Sequence, residues 1–204
     1  MPLPKLVFAT RNPGKVKEIA ELLGAHFEII GLDAVGCLED IPETAPTLEG
    51  NAIQKAEYVL SHYGVHCFAD DTGLEVNALQ GAPGVHTARY AGEEKDPNAN
   101  MEKLMAALKN EPNRSARFRT VMALTTPTGT LTFDGICSGR IAKKTSGSEG
   151  FGYDPIFIPE GQSVRTFAEM TPSEKNVISH RGRAVRAMVK ELIVRGGETE
   201  VKPG

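Results

Sequence analysis

Two periodicities in the apolar positions divide this chain into elements. Leu6 to Thr10 is a β-type apolar run, Asn12-Pro13-Gly14 is turn-prone, and Val16, Ile19, Ala20 and Leu23 then recur at helical spacing. Glu28 to Leu32 predicts a second strand. Ala52, Ile53, Ala56, Val59 and Leu60 form the apolar face of a second helix, and Val65 to Ala69 a third strand ending in Asp70-Asp71. The opening third is therefore βαβαβ, which predicts an α/β fold with some parallel pairing.

Further along, Gln80 to Gly92 has no period and carries Pro83-Gly84, so it reads as a loop. Asp96 is placed to cap a helix with Pro97 at its first position, and Met101, Leu104, Met105 and Leu108 give that helix a core face. Ser115 to Thr125, the turn Pro127-Thr128-Gly129 and Thr130 to Phe133 predict an antiparallel hairpin. Lys143 to Gly152 is a Gly- and Ser-rich loop leading to a short strand at Ile156 to Ile158. The last helix begins at the capping box Thr171-Pro172-Ser173-Glu174 and carries a stripe of Val177, Ile178, Ala184, Val185, Met188, Val189 and Leu192. Residues 196–204 are polar and Gly-rich and are expected to fray. The sheet is mixed, and residues 1–204 form a single domain.

Composition narrows the function classes. The length of 204 residues is ample for one continuous core without a staple. Cys37, Cys67 and Cys137 are odd in number and have no Cys-x-x-Cys spacing, which argues against a disulfide framework or a zinc site and for a reducing, cytoplasmic setting. No run reaches the roughly 18 apolar residues of a membrane span. A net charge of -3 excludes the broad positive field that non-specific nucleic-acid or anionic-membrane binding needs, so an anionic ligand must be held by local cations.

Those cations lie in recognisable places. Thr10-Arg11-Asn12-Pro13-Gly14-Lys15 sits where a strand feeds a helix, the position at which backbone N–H groups and the helix dipole favour phosphate. It is not a Walker A loop, since Ala9 and Val16 replace the required Gly and hydroxyl residue. Alone it also fits a plain turn with a solvated lysine. Asp70 and Asp71, adjacent on a strand, diverge, so one of them can face a ligand as a Mg²⁺ ligand or as a base for water; a local turn cap fits that pair equally. Glu43 lies in a polar loop and Lys55 on the second helix. Phe151-Gly152-Tyr153-Asp154-Pro155 combines aromatics for a planar base with an acid, or else a turn with aromatics anchored in the core. Lys175, His180 and Arg181 fall in the first turns of the final helix, with Lys175 and Ser179 on one face.

Taken in order, ATRNPGK, the Glu43 loop with Asn51 and Lys55, ADDTGL, GAPGVHTARYAG, GFGYDPIF, TFAEM and EKNVISHRGRA closely resemble the inosine triphosphate pyrophosphatase family. The resemblance spans residues 7–184. It implies an elongated mixed sheet flanked by helices, two lobes with the active-site cleft between them, and a Mg²⁺-dependent homodimer. The implied activity is hydrolysis of dITP, ITP and XTP to the monophosphate and pyrophosphate. It further implies that Thr10 to Lys15 and Lys55 grip the triphosphate, Glu43 and Asp71 bind metal with Asp71 also activating water, Thr72 touches substrate, Phe151 to Asp154 contact the nucleotide, and Lys175, His180 and Arg181 read the base. Arg11 stands where the family often has Gly. His86 replaces an expected aromatic and is assigned no role. A related pyrophosphatase with another base preference, or a nucleotide sensor without turnover, are the competing readings.

Overall fold

The structure, a computed structural model, describes residues 3–194, so the fraying expected at 196–204 lies outside the described residues. The parallel half of the sheet follows the expected strand-helix-strand order. β1 (Lys5–Phe8) leads through α1 (Pro13–Leu23) to β2 (Glu28–Ile30), and a 3-10 turn at Leu32–Val35 precedes α2 (Leu48–Tyr63) and β3 (Cys67–Val76). β1 pairs in parallel with both β2 and β3, and the Phe8 and Phe68 rings stack at 4.5 Å across the second pairing. The two-residue strand β4 (Pro83–Gly84) adds to β3 antiparallel.

After α3 (Pro97–Ala107), the long hairpin β5 (Ser115–Thr126) and β6 (Gly129–Ile141) leads to β7 (Phe157–Pro159), which pairs antiparallel with β6. The strand order is β2-β1-β3-β5-β6-β7, with β4 on β3. The chain ends in α4 (Pro172–Ile178) and α5 (His180–Val194). The predicted α/β class and mixed sheet are therefore observed. Among the described residues no helix is long and apolar enough to cross a membrane.

Two compact units share these elements. The first comprises residues 3–71, 120–135 and 182–194, and its core gathers Leu6, Phe8, Ile19 and Phe68 with Met122, Leu124, Ala184, Val185 and Met188. The second comprises Thr72–Arg119 and Ile136–Arg181, with Leu74, Leu104, Leu108, Phe118, Phe157 and Phe167 at its centre.

Several expectations are corrected. β3 does not stop at Ala69: it runs through Asp70-Asp71-Thr72-Gly73 to Val76, because Leu74 and Glu75 find partners in β4. The supposed loop Gln80 to Gly92 therefore contains a strand, and a 3-10 turn at Thr87–Arg89. The returning hairpin strand extends well beyond Phe133, to Ile141, and the short strand begins at Phe157 rather than Ile156. Ala20 is exposed, and the partly buried Leu22 packs against the first core beside Ile19 and Leu23. The final helix is two helices. Ser179 takes an extended conformation (φ -68°, ψ 155°), which resets the helical phase and leaves Val177 67% exposed, outside the stripe it was expected to join.

Candidate active site

In the first unit, Asn12 caps α1 with its side chain, accepting from the backbone N–H groups of Gly14 (2.9 Å) and Lys15 (3.2 Å), while its own N–H donates to Thr10 Oγ1. The N–H groups expected to face a phosphate are thus turned toward one oxygen of Asn12, in the place an anion's oxygen can take. Arg11 donates to the carbonyl of Cys37 at 3.2 Å, tying this loop to the segment that leads to Glu43.

Lys15 reaches β3, where its Nζ lies 2.8 Å from Asp70 Oδ1. Lys55, on α2, donates to Glu43 Oε1 at 2.5 Å and to the Asp70 carbonyl at 2.6 Å, and lies 4.0 Å from Asp71 Oδ1. Asn51, one turn earlier on the same face of α2, donates to Asp71 Oδ2 at 3.0 Å. Strand alternation separates the two aspartates as expected: Asp70 is fully enclosed, whereas Asp71 keeps some exposure.

The electrostatics follow from burial. Burial raises the Asp71 pKa above its ordinary value, although Lys55, Lys15 and the Asn51 hydrogen bond pull the other way. Burial also works against the Lys55 ammonium, but Asp71, Glu43 and Asp70 together outweigh it, so its pKa is raised and it stays charged. Among the described residues, no group of three or more His, Cys, Asp or Glu side chains could hold a metal ion by itself. Glu43 and Asp71 nevertheless flank one ammonium, and hard oxygen donors in a pair suit an ion whose remaining ligands come from phosphate and water.

In the second unit, Lys175 Nζ lies 2.7 Å from Asp154 Oδ2, and both side chains are about 5% exposed. Asp154 Oδ2 also accepts from the Phe151 N–H at 2.8 Å, closing the turn. The ammonium of Lys175 sits 5.0 Å from the Phe151 ring centroid and the guanidinium of Arg181 5.6 Å, so Phe151 carries cations on its ring. Arg181 donates to Thr72 Oγ1 at 3.2 Å. His180 stacks on Phe118 with ring centroids 4.5 Å apart, which fixes the plane of the imidazole.

The break at Ser179 changes how these residues meet. Lys175 lies in the last turn of α4 while His180 and Arg181 open α5, so the three do not fall in the first turns of one final helix, and all three are buried. Tyr153, expected beside the nucleotide, lies in the core with its hydroxyl on the Thr87 carbonyl. Gly152 has open space around it, whereas at Gly150 a Cβ would collide with Asp154 Oδ2. Sequence reasoning did not single out Asp70 as the partner of Lys15, nor Phe118 and Phe167 as the aromatic bed of the second cluster. Only the apolar alternation of β5 hinted at Phe118.

A separate hollow of about 640 Å³ in the second unit is lined by Arg114, Arg140, Lys143 and Lys144 and contains none of the expected site residues. Arg114 spends its guanidinium on the carbonyls of Leu108, Ile141 and Ala142, a structural use.

Two lysines, Lys55 buried and Lys15 partly buried, are held against carboxylates beside a strand-to-helix loop, an arrangement of cations that suits a polyanion. The chain belongs to the Ham1 family, whose model matches residues 6–191. It is 57% identical over 193 residues to the dITP/XTP pyrophosphatase of Porphyromonas gingivalis, covering 94% of this chain and 98% of that protein. It is 45% identical to the dITP/XTP pyrophosphatase of Bacillus subtilis, covering 93% and 98%. The solved Ham1 protein of Staphylococcus aureus superposes with a TM-score of 0.84 at 38% identity, over 94% of this chain and 99% of that one. The family resemblance drawn from the ordered motifs is thereby borne out.

Proposed function

We propose that this chain hydrolyses non-standard purine nucleoside triphosphates (dITP, ITP and XTP) to the monophosphate and pyrophosphate, clearing them from the nucleotide pool of the cytoplasm as a Mg²⁺-dependent homodimer. The observation that carries the reading is the first-unit cluster, in which Lys15 and Lys55 are both aimed by carboxylates on or beside β3. The near full-length similarity to proteins named dITP/XTP pyrophosphatases supports the substrate class. The buried thiols of Cys37, Cys67 and Cys137 suit a reducing compartment.

Thr10 to Lys15 and Lys55 bind the triphosphate, and their two ammoniums offset charge on the departing pyrophosphate. Glu43 and Asp71 hold Mg²⁺, which when bound adds charge neutralisation at the phosphates. Asp71 orients a water for in-line attack at the α-phosphorus. Its raised pKa and the bond from Asn51 suit a carboxylate that accepts a proton from that water while staying fixed in direction. Thr72, next along β3, contacts the nucleotide and is itself held by Arg181.

Phe151 stacks on the base, and Lys175, His180 and Arg181 present buried donors to it. A 6-oxo purine accepts from such donors, whereas adenine's 6-amino group leaves them unpaired at about 1–3 kcal/mol each. Pyrophosphate release from a panel of dITP, XTP, ITP, ATP and GTP, with and without Mg²⁺, tests the reading. The expected order puts dITP and XTP far ahead of ATP, with activity lost on chelation; ATP hydrolysed as fast as dITP overturns it. Sizing chromatography checks the dimer.

A further inference from the structure

We propose that Asp70 is a positioning residue for the reaction: its carboxylate aims Lys15 at the triphosphate, and its backbone carbonyl anchors Lys55. The two contacts are of different kinds. Asp70 Oδ1 meets Lys15 Nζ at 2.8 Å, and Asp70 O accepts from Lys55 Nζ at 2.6 Å. One residue of β3 thus holds both cations that would meet the phosphates. This rests on the reading that Lys15 binds phosphate.

Asp70 is 1% exposed, so its side chain contacts no ligand itself. It points to the opposite side of the strand from Asp71, which removes it from the water and metal chemistry. The exposure in the Lys15–Asp70 pair belongs to the lysine, whose side chain is 15% exposed, while that of Asp70 is 0%. A lysine stem is flexible and loses rotamer freedom whenever its ammonium is fixed in one place. A buried carboxylate at hydrogen-bond distance fixes it before substrate arrives, so less ordering remains to be done on binding.

The test combines dITP kinetics with direct binding of inorganic pyrophosphate and of dIMP to the intact protein carrying Asp70→Asn, Lys15→Met, or both. Each single variant is expected to raise KM for dITP and weaken pyrophosphate binding by about tenfold to a hundredfold, with dIMP affinity within about twofold of the parent. The double variant is expected to be no worse than Lys15→Met, because the two residues act as one unit. Asp70→Glu, which keeps the charge but displaces the ammonium, should fall between parent and Asp70→Asn and serves if the latter does not fold. Parent-like pyrophosphate binding in Asp70→Asn, multiplicative losses in the double variant, or an equal loss of dIMP and pyrophosphate affinity overturns the proposal. Unchanged pyrophosphate binding in Lys15→Met instead shows that the assignment of Lys15 to the phosphates has failed.

Discussion

Replacing Lys175 by Met strands a buried charge, and the structure gives the size of the effect. The Lys175 ammonium lies 2.7 Å from Asp154 Oδ2, and the two side chains are 6% and 4% exposed. Removing one partner of such a pair costs about 3–5 kcal/mol, since the remaining carboxylate stays desolvated without its counter-charge. Asp154 keeps the Phe151 N–H at 2.8 Å, which places the cost near the lower end. The cation contacts with Phe151 and Phe167 are lost as well, while the Met stem retains most of the packing. For a chain of 204 residues each kcal/mol moves the melting point by about 2–4 °C, so Lys175→Met should melt at least about 6 °C below the parent. Asp154→Asn should fall similarly. The variant carrying both changes should be more stable than the sum of the single losses allows, because neither charge is then left alone. Thermal unfolding followed by circular dichroism measures all four proteins. Single variants within about 2 °C of the parent, or strictly additive losses, refute the view that this pair is an energetic unit.

Asp71→Asn should abolish dITP turnover while nucleotide affinity stays within about tenfold, since the change removes a water and metal ligand but little bulk; retained turnover places the base elsewhere. Gly150→Ala should destabilise the protein and impair base recognition together, because Gly150 has φ +76° and an added methyl collides with Asp154 Oδ2. Unchanged stability in that variant contradicts the packing. Glu174, on the capping box of α4, has its pKa lowered to about 2 by the Thr171 N–H first, then by Arg165 and the Thr171 hydroxyl. A depressed pKa means that its stabilisation is present above the ordinary value of 4.5 and is lost as pH falls toward about 2. The stability gap between parent and Glu174→Gln should accordingly be open at about pH 6 and close on acidification; a gap that ignores pH disproves the assignment.

Local chemistry was legible wherever a residue acts on its own neighbours. Asp96-Pro97 and the Thr171 capping box start their helices as read, because a cap is a contact within three residues. The βαβ opening was legible from periodicity. The extension of β3 was not, since Thr72-Gly73 looks like a turn until β4, a two-residue strand with no pattern of its own, supplies a partner. The break at Ser179 escaped for a similar reason. No proline or glycine marks it, and the burial of Lys175, His180 and Arg181 on either side of it is not visible in sequence spacing. Lys15 with Asp70 and Lys175 with Asp154 are separated by 55 and 21 residues, so neither pairing could be read from local spacing before the fold brought each carboxylate to its lysine.

The first-unit cluster also constrains how ligands can arrive. Lys15 and Lys55 are met by the carboxylates of Glu43, Asp70 and Asp71, so ammoniums and carboxylates stand side by side before anything binds. A triphosphate alone is repelled by Glu43 and Asp71, and a divalent cation alone is opposed by two ammoniums in a partly buried setting where charges are weakly screened. Each ligand removes the penalty on the other. Binding of polyanion and cation must therefore be positively coupled, and by linkage the coupling is reciprocal: Mg²⁺ tightens pyrophosphate by the same factor as pyrophosphate tightens Mg²⁺. A coupling of about 1–3 kcal/mol corresponds to about 5–150-fold. Calorimetric titrations in both orders measure it, with correction for the Mg²⁺–pyrophosphate complex formed in solution. In Glu43→Gln the coupling should shrink, because one of the two carboxylates that repel the anion and attract the cation has lost its charge. Pyrophosphate affinity that is the same with and without Mg²⁺ would remove the electrostatic basis for assigning Glu43 and Asp71 to the metal.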